Sequence, residues 1–233
     1  MSAPGRCILV CAGEFDPSFD PREKTHFPSL SKEDLLIAVD GGLRHILDLG
    51  LEPDLILGDF DSIAGREEEY LERFEAQRPE SVIRLPVQKD ETDSEKAVMI
   101  GLERGFARFF IYGALGGRFD HSFSNLQMAL KIRRKGARPW LFLGRTAITV
   151  IENETFRLPE GFEGTVSLCA LSDRLEGVSI RNMKYELSDA VIANDSSLGI
   201  SNETVPGNGP GAFSIQKGAG ILILTEHLHN IHY

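Results

Sequence analysis

The sequence predicts an α/β fold in which an N-terminal doubly wound, mostly parallel sheet domain is followed by a C-terminal all-β sandwich domain. Three observations carry this prediction. Short apolar runs alternate with helix-like stretches in the first half, good helix patterns are missing after about residue 145, and the later apolar runs are separated by turns. Because 233 residues exceed one average domain, we place the α/β domain at 1–144 and the β-sandwich domain at 145–233.

Five apolar segments of the first half are predicted to be strands buried on both faces of a parallel sheet. They are RCILVCAGE, LLIAVDGG, DLILGDFDS, SVIRLPV and RFFIYGALGG. The stretches between them have helical spacing. In the last stretch, Phe123, Leu126 and Leu130 fall on one face, and Gly136 is placed to end the helix. Such βα alternation is typical of a doubly wound sheet.

The second half is predicted to consist of strands separated by turns. Its apolar segments are RTAITVIENETFRLP, GTVSLCAL, GVSIRNMKYEL, AVIAND and GAGILILTE. A sandwich or barrel of roughly 85 residues is the structure that this pattern favours. The segment SNETVPGNGPGAF is rich in glycine, proline and asparagine, and we predict a hairpin loop there.

The charge and composition of the chain argue against some binding partners and predict where in the cell the protein resides. A formal net charge of −10 argues against nucleic acid and against anionic membranes as partners, because both reward basic patches. No run of about 18 apolar residues is present and the N-terminus lacks signal-peptide order, so we predict a cytoplasmic protein. The three cysteines, Cys7, Cys11 and Cys169, are expected to be buried reduced thiols.

Polar residues follow four successive predicted strands of the first half. Asp40 follows one strand, Asp59 and Asp61 follow the next, residues 89–93 follow the third, and residues 116–121 follow the fourth. Ligands of an open parallel sheet bind outside the carboxyl ends of its strands. We therefore expect these residues to line one site.

The aspartates at these strand ends would repel one another. Repulsion between two carboxylates about 4 Å apart costs on the order of 4 kcal/mol at an effective dielectric of about 20. A helix N-terminus stabilises a nearby carboxylate by only about 0.3–1 kcal/mol. If Asp59, Asp61 and Asp93 converge, a divalent cation is needed, and carboxylate oxygens suit Mg²⁺. The alternative is that Asp59 and Asp61 are only turn residues between Gly58 and Ser62.

Two further segments place helix starts beside this site. Thr92 and Glu95 match a capping box, which leaves Asp93 in the first helical turn facing the cleft. In GALGGRFDH, glycines allow close approach to a ligand, a helix follows, and Arg118 can bind phosphate through its planar guanidinium. The chain ends on three histidines spaced like metal ligands, for which a frayed terminus or an edge strand is the simpler interpretation: His227, His229 and His232.

Six segments, in this order and spacing, resemble the thiamine pyrophosphokinases: AVDGG, PDLILGDFDS, QKDETDSEKA, GALGGRFDHSFSN, MKYEL and LGISNE. The resemblance covers most of the chain. It implies an enzyme that moves the β,γ-pyrophosphoryl group of ATP onto the hydroxyethyl oxygen of thiamine, giving thiamine diphosphate and AMP. It also implies a homodimer that binds thiamine between the N-terminal domain of one subunit and the C-terminal domain of the other.

The resemblance further implies roles for individual residues. The implied Mg²⁺ ligands are Asp59, Asp61 and Asp93, which form the catalytic set together with Arg118 and Asp120. The implied nucleotide-binding residues are Asp40, Gly41, Gly42, Thr92, Lys96, Gly116, Gly117, Arg118, Asp120, His121 and Asn125. The implied thiamine-binding residues are Lys89, Asp93, Tyr185, Ser201 and Asn202. Among these, Tyr185 is expected to stack on thiamine, and Ser201 and Asn202 to hydrogen-bond its aminopyrimidine ring.

Phosphoryl transfer depends on positioning and charge neutralisation. We therefore expect Mg²⁺ and Arg118 to stabilise charge during in-line attack at Pβ, without a covalent enzyme intermediate. Two alternatives stay open: pyrophosphate transfer to another hydroxymethyl heterocycle, such as a pterin, and a non-catalytic sensor that binds nucleotide and thiamine. MKYEL and LGISNE favour thiamine, and the full set of aspartates with Arg118 argues against a mere sensor.

Overall fold

The computed structural model describes residues 5–16, 27–61, 63–88 and 90–226. These residues fall into two compact units, the first built from residues 5–16 and Ser29–Leu143, and the second built mainly from residues 144–226. None of the four α-helices found in the described ranges is long and apolar enough to cross a bilayer.

The described part of the first unit contains six strands and four α-helices. In chain order they are β1 (Cys7–Val10), β2 (Leu35–Val39), α1 (Gly42–Asp48), β3 (Leu55–Gly58), α2 (Arg66–Gln77), β4 (Val82–Arg84), α3 (Asp93–Glu103), β5 (Arg108–Tyr112), α4 (Phe119–Arg134) and β6 (Arg138–Leu143). A 3-10 turn, Pro79–Ser81, precedes β4.

The strands of the first unit run in the order β4-β3-β2-β1-β5-β6, and each neighbouring pair is parallel. All five strands predicted for the first half are present, but β4 is an edge strand without a fully buried residue, so the prediction of burial on both faces is wrong for it. The sixth, β6, was not among them, because Pro139 interrupts its apolar run and the segment lies at the predicted domain boundary. The chain extends the sheet on one side of β1 with β2, β3 and β4, and then returns to the other side with β5 and β6.

The central strands are apolar because both of their faces are covered. Every residue of β1, β2 and β3 is buried, including the completely inaccessible Ile8, Ile37 and Ile56. Each such side chain contributes about 1.5–3 kcal/mol relative to exposure. Helix α4 ends as predicted, since Gly136 follows it with a φ of 85°, which glycine adopts without a steric penalty. The face predicted for it is wrong, because Met128, Ala129 and Ile132 are buried whereas Phe123 is exposed.

The second unit consists of antiparallel strands, and no helix lies within its described residues 144–226. The strands are β7 (Thr146–Glu152), β8 (Thr155–Arg157), β9 (Gly164–Ala170), β10 (Arg174–Arg181), β11 (Leu187–Ala193), β12 (Asn202–Glu203), β13 (Ala212–Ser214) and β14 (Ala219–Glu226). One set is ordered β12-β9-β14-β7 and the other β11-β10-β13-β8. Burial alternates along β9 and much of β10, as expected for strands with one covered face.

The predicted hairpin loop in SNETVPGNGPGAF is wrong. The segment joins β12 to β13, but β12 pairs with β9, whereas β13 pairs with β10 and β8. The glycines and prolines allow the chain to turn. Strand pairing is decided by partners elsewhere in the chain, and here the loop connects two different sheets.

A buried ion pair joins the starts of β1 and β2. The side chains of Arg6 and Asp34 are 9% and 4% exposed, and Arg6 Nη2 donates to Asp34 Oδ2 at 2.7 Å. Arg6 Nε and the Arg6 backbone N–H both donate to Asp34 Oδ1, at 3.1 and 2.7 Å. Burial alone would raise the pKa of Asp34, but these hydrogen bonds and one from the Ser31 backbone lower it to about 2.

We expect Asp34→Ala to lower the free energy of unfolding by about 3 kcal/mol at neutral pH, because it removes the carboxylate that compensates the buried Arg6 charge. Since the pKa of Asp34 is lowered by folding, wild type should lose this stabilisation as the pH falls from about 4 to about 2. Urea unfolding at several pH values measures both effects. Asp48→Ala, which removes the exposed partner of Arg66, is the matched control and should cost far less. Equal losses in the two variants would contradict the buried-pair account.

Candidate active site

The sheet order reverses between β1 and β5, and a cavity of about 380 Å³ lies at this point. Open parallel sheets bind ligands at such a switch point, outside the carboxyl ends of the strands. We call it the switch-point cavity. The ends of β1, β2 and β5 and the starts of α3 and α4 line it. The predicted site residues in its wall are Asp40, Thr92, Asp93, Gly116, Gly117, Arg118, His121 and Asn125.

Asp40 lies between two other carboxylates at this edge of the sheet. Its Oδ1 accepts the backbone N–H of Asp59 at 3.1 Å. Burial, followed by the negative charge and the side-chain hydrogen bond of Asp93 and then the charge of Asp59, raises the pKa of Asp40 to about 7. Gly58 is needed beside it, because a Cβ there would overlap Asp40 Oδ1. The sequence prediction of like charges collected at the strand ends is therefore confirmed for these three aspartates.

Asp59 and Asp61 form a local turn. Asp59 Oδ1 accepts the backbone N–H of Asp61 at 3.2 Å, and the Asp61 side chain is exposed. Phe60 between them is buried and has a φ of 62°, a conformation that is uncommon for a bulky residue. The turn interpretation of this segment is confirmed. It does not exclude a second role, since strained backbone often accompanies functional sites.

Within the described ranges, no three histidine, cysteine or acidic side chains form a group that could hold a metal ion. The structure therefore does not gather Asp59, Asp61 and Asp93 into one such group. It brings Asp59 and Asp93 each into interaction with Asp40. These residues fit a hard divalent cation, because carboxylate oxygens are its preferred ligands. The raised pKa of Asp40 reflects repulsion between the carboxylates, and a bound cation would relieve it.

Helix α3 begins as predicted. Thr92 Oγ1 accepts the Glu95 N–H and Glu95 Oε2 accepts the Thr92 N–H, both at 3.2 Å, which completes the capping box. Asp93 is thereby fixed as the first helical residue, in the wall of the cavity. Lys96 lies almost one turn further along α3, is half-buried, and is not part of that wall.

Another part of the cavity wall is formed by a glycine turn and the start of α4. Gly116 and Gly117 have φ values of 79° and 61°, and no atom lies within 4 Å of where a Gly117 Cβ would be. Arg118 donates from Nη2 and Nε to Asp120, at 2.6 and 3.2 Å. These bonds lower the pKa of Asp120 to about 2. The guanidinium is thus already held in the two-pronged geometry that suits carboxylate or phosphate oxygens.

Three other predicted nucleotide residues have evident structural roles. A Cβ at Gly42 would overlap the Val10 carbonyl oxygen, and Gly41 is the N-cap of α1 beside Ala12. The buried Asn125 donates from Nδ2 to the Ala114 carbonyl at 2.7 Å and so fixes the loop after β5. Whether these residues also contact nucleotide stays a prediction.

Sequence reasoning missed the loop after β1 as a part of the site. Cys11 and Gly13 line the cavity, and the Gly13 N–H donates to the Gly113 carbonyl at 2.8 Å. His45 supports this loop through a 3.2 Å hydrogen bond to the Gly13 carbonyl and a stack on Phe15. The strand-end rule applied to the first strand would have identified it. Burial raises the pKa of Cys11 to about 11, so the thiol stays protonated.

In the second unit, the predicted thiamine-binding residues Tyr185 and Asn202 lie together. Tyr185 is 59% exposed, whereas Asn202 is 4% exposed. Asn202 Oδ1 accepts the Tyr185 N–H at 3.0 Å, and its Nδ2 donates to the Tyr185 carbonyl at 2.7 Å. Ser201 is exposed, and its backbone N–H donates to Ser167 Oγ at 3.0 Å.

Some predictions lie outside the described residues. These are the thiamine-binding role of Lys89, the turn role of Ser62, and the terminal histidines His227, His229 and His232.

Two family models match the chain in succession. The first, "Thiamin pyrophosphokinase, catalytic domain", matches residues 28–141, and the second, "Thiamin pyrophosphokinase, vitamin B1 binding domain", matches residues 151–219. A curated relative, the thiamine pyrophosphokinase of Bacillus subtilis, is 30% identical over 190 residues, which cover 81% of this chain and 86% of the relative. This chain belongs to the thiamin pyrophosphokinase family.

Solved structures of thiamin pyrophosphokinases share the fold. The crystal structure of thiamine pyrophosphokinase from Bacillus subtilis matches with a TM-score of 0.80 at 27% identity, covering 95% of this chain and 100% of the other. That of yeast thiamin pyrophosphokinase matches with a TM-score of 0.74 at 14% identity, covering 99% and 89%. At the latter identity the likeness shows the fold alone.

The two thiamin pyrophosphokinase models divide the described site residues between the units. The catalytic-domain match contains Asp40, Asp59, Asp93 and Arg118 in the first unit. The vitamin B1 binding match contains the pair Tyr185 and Asn202 in the second. The resemblance inferred from six short segments is therefore confirmed as family membership.

Proposed function

We propose that this chain is an ATP:thiamine diphosphotransferase, which converts thiamine and ATP into thiamine diphosphate and AMP. The observation that carries the proposal is the switch-point cavity, whose wall contains two carboxylates, Asp40 and Asp93, together with a glycine turn and an arginine at a helix start. That combination suits a nucleotide whose phosphates are bound with a cation. Membership of the thiamin pyrophosphokinase family supports thiamine as the acceptor.

We assign the ATP phosphates to the switch-point cavity, between the Asp93 side and the Gly116–Gly117 turn. Asp59 and Asp93, which both interact with Asp40, and Asp61, which the resemblance alone implies, would hold Mg²⁺, and when bound it would neutralise negative charge on the phosphate oxygens. The negative charges of Asp93 and Asp59, which raise the pKa of Asp40, support a cation in this place. Arg118 would hold phosphate oxygens through the same two N–H groups that now bind Asp120.

The reaction is an in-line displacement at Pβ. The hydroxyethyl oxygen of thiamine forms a bond to Pβ, the bond from Pβ to the oxygen that bridges to Pα breaks, and AMP leaves with that oxygen. The hydroxyl proton is released. Arg118 stabilises the charge that develops as this bond breaks. No enzyme nucleophile takes part, and the raised pKa of Cys11, the thiol in the cavity wall, supports this assignment.

We assign thiamine to the second unit, with the exposed Tyr185 ring as its stacking surface and Ser201 beside it. A cation over an aromatic face gains about 0.5–2 kcal/mol, and thiamine carries a positive thiazolium ring. A homodimer that binds thiamine between its subunits, a doubly wound first domain, a β-sandwich second domain and a cytoplasmic location complete the proposal. These four features rest on the resemblance and on the sequence pattern.

A competition assay separates this function from its alternatives. ATP and Mg²⁺ are supplied with thiamine, with a 6-hydroxymethyl pterin, or with both, and pyrophosphorylated products are measured by mass spectrometry. We expect transfer to thiamine alone. Transfer only to the pterin would overturn the acceptor assignment, and binding of thiamine without any product would indicate a sensor. ATP without an acceptor is the control for simple hydrolysis.

A further inference from the structure

Tyr185 presents an exposed aromatic ring on a short loop, which we call the Tyr185 loop (residues 182–186). The loop closes on itself, because the Asn182 N–H donates to Glu186 Oε1 at 2.8 Å. Asn182 Nδ2 also donates to the Pro210 carbonyl at 3.2 Å. Tyr185 as a whole is 59% exposed, so few packing contacts hold its ring. Its position must therefore be set through the backbone that carries it.

Asn202 supplies that backbone support from β12. Its Oδ1 accepts the N–H groups of both Tyr185 and Glu203 at 3.0 Å, and its Nδ2 donates to the Tyr185 carbonyl at 2.7 Å. An amide oxygen accepts two hydrogen bonds and an amide nitrogen donates two. Asn202 Oδ1 is therefore saturated, and one N–H is left on a side chain that is 4% exposed. This arrangement leaves little capacity for hydrogen bonds to a substrate.

The support continues into the sheet. Asn202 and Glu203 pair with Val166 and Thr165 of β9, which in turn pairs along its length with β14. The Lys184 N–H donates to the Glu203 carbonyl at 2.9 Å, so the Tyr185 loop and β12 run as an antiparallel pair. The Asn202 side chain extends this pairing by one residue, to Tyr185.

A neutral charge pair lies beside the ring. Lys184 Nζ is 5.5 Å from the centre of the Tyr185 ring and 3.1 Å from both carboxylate oxygens of Glu203. Because Glu203 compensates the lysine, the ring can still attract a second cation on its open face. The loop thus combines a fixed backbone, an exposed ring and a compensated charge.

We propose that Asn202 is a positioning residue whose side chain holds the Tyr185 backbone so that the ring forms the platform for the cationic acceptor, and that Asn202 does not itself bind that acceptor. This inference changes the role that the resemblance implies for Asn202. The inference rests on the proposed function only for the identity of the acceptor. The hydrogen bonds by which Asn202 holds Tyr185 do not depend on that function.

Fluorine NMR tests the positioning without reference to activity. The full chain is labelled with 3-fluorotyrosine, and the signal of Tyr185, one of four tyrosines, is assigned by its loss in Tyr185→Phe. We expect Asn202→Ala to shift or broaden this signal while leaving the other three unchanged. An unaltered Tyr185 signal in Asn202→Ala would overturn the proposal.

A double-mutant cycle then tests how Asn202 acts on thiamine. We expect Tyr185→Ala and Asn202→Ala each to raise the KM for thiamine about tenfold, with the KM for ATP unchanged. The double variant should lie within about twofold of Tyr185→Ala, because residues that act through one another are not additive. Multiplication of the two effects to about 100-fold would show that Asn202 contacts thiamine independently, and the proposal would fail.

Two further variants keep this test interpretable. Asn153→Gly is the matched control, because Asn153 also bonds a backbone group of the second unit, the Gly218 N–H at 2.8 Å, in a turn with a φ of 51° that glycine accepts. It should alter neither the fluorine signal of Tyr185 nor the KM for thiamine. If Asn202→Ala does not fold, Asn202→Ser replaces it. A wild-type chain that makes no product from thiamine would refute the proposed function, whereas the fluorine result would still decide the positioning role.

Discussion

Asp93→Asn is expected to lower kcat about 1,000-fold while the protein stays folded. The substitution keeps the size of the side chain and its place as the first residue of α3, but it removes a negative charge from the wall of the switch-point cavity. Asp93 would help to hold the Mg²⁺ that neutralises charge on the phosphate oxygens, and losing one electrostatic contribution of this kind typically costs about 100- to 1,000-fold. Steady-state kinetics with ATP and thiamine measure the effect.

Stability provides an internal check on Asp93→Asn. Because Asp93 raises the pKa of Asp40, its neutralisation removes repulsion, and the free energy of unfolding should not fall. Glu91→Gln is the matched control, since Glu91 is an exposed acidic residue two positions earlier and outside the cavity wall. It should keep wild-type activity. An Asp93→Asn variant that retains more than about a tenth of the wild-type kcat would remove the role we assign to this carboxylate.

Arg118→Lys should lower kcat about 100-fold, although the positive charge is retained. The guanidinium binds two oxygens at once, as it does with Asp120 at 2.6 and 3.2 Å, and an ammonium group cannot reproduce that geometry. We expect the KM for ATP to rise and the KM for thiamine to stay near that of wild type. Initial rates at varied concentrations of each substrate give both values.

Arg84→Lys is the control for Arg118→Lys. Arg84 is an exposed arginine that also binds a carboxylate through two N–H groups, in this case Glu75 at 3.0 and 2.6 Å, and it is absent from the cavity wall. Loss of its two-pronged bond should leave kcat unchanged. If Arg84→Lys and Arg118→Lys had equal effects on kcat, the phosphate role of Arg118 would be untenable.

The strands and helices of the first unit were predictable because their signals are local. Strands buried on both faces are apolar along their length, as in β2, and the capping box of α3 can be identified from Thr92 and Glu95 alone. Strand β6 was not predictable in this way, because Pro139 interrupts its apolar run. The pairing of β12 and β13 was not predictable either, since their partners lie elsewhere in the chain and a turn-rich segment does not specify which strands pair.

The collection of the aspartates at one edge was predictable from the strand-end rule, but their individual roles were not. The sequence could not indicate that Asp40 would stand between Asp59 and Asp93, because this depends on the positive φ of 48° at Asp40 and on the absence of a side chain at Gly58. Nor could it indicate that Asn202 would be buried with its amide bonded to Tyr185. Side-chain partners seventeen residues apart follow from strand pairing, which only the folded structure provides.

Phosphorus NMR of the wild-type reaction tests the central claim most directly. Purified protein is incubated with ATP, Mg²⁺ and thiamine, and the phosphorus-containing products are identified and counted. We predict thiamine diphosphate and AMP in equal amounts, because attack at Pβ transfers the terminal two phosphoryl groups together. Formation of ADP with thiamine monophosphate, or of AMP without thiamine diphosphate, would contradict the account.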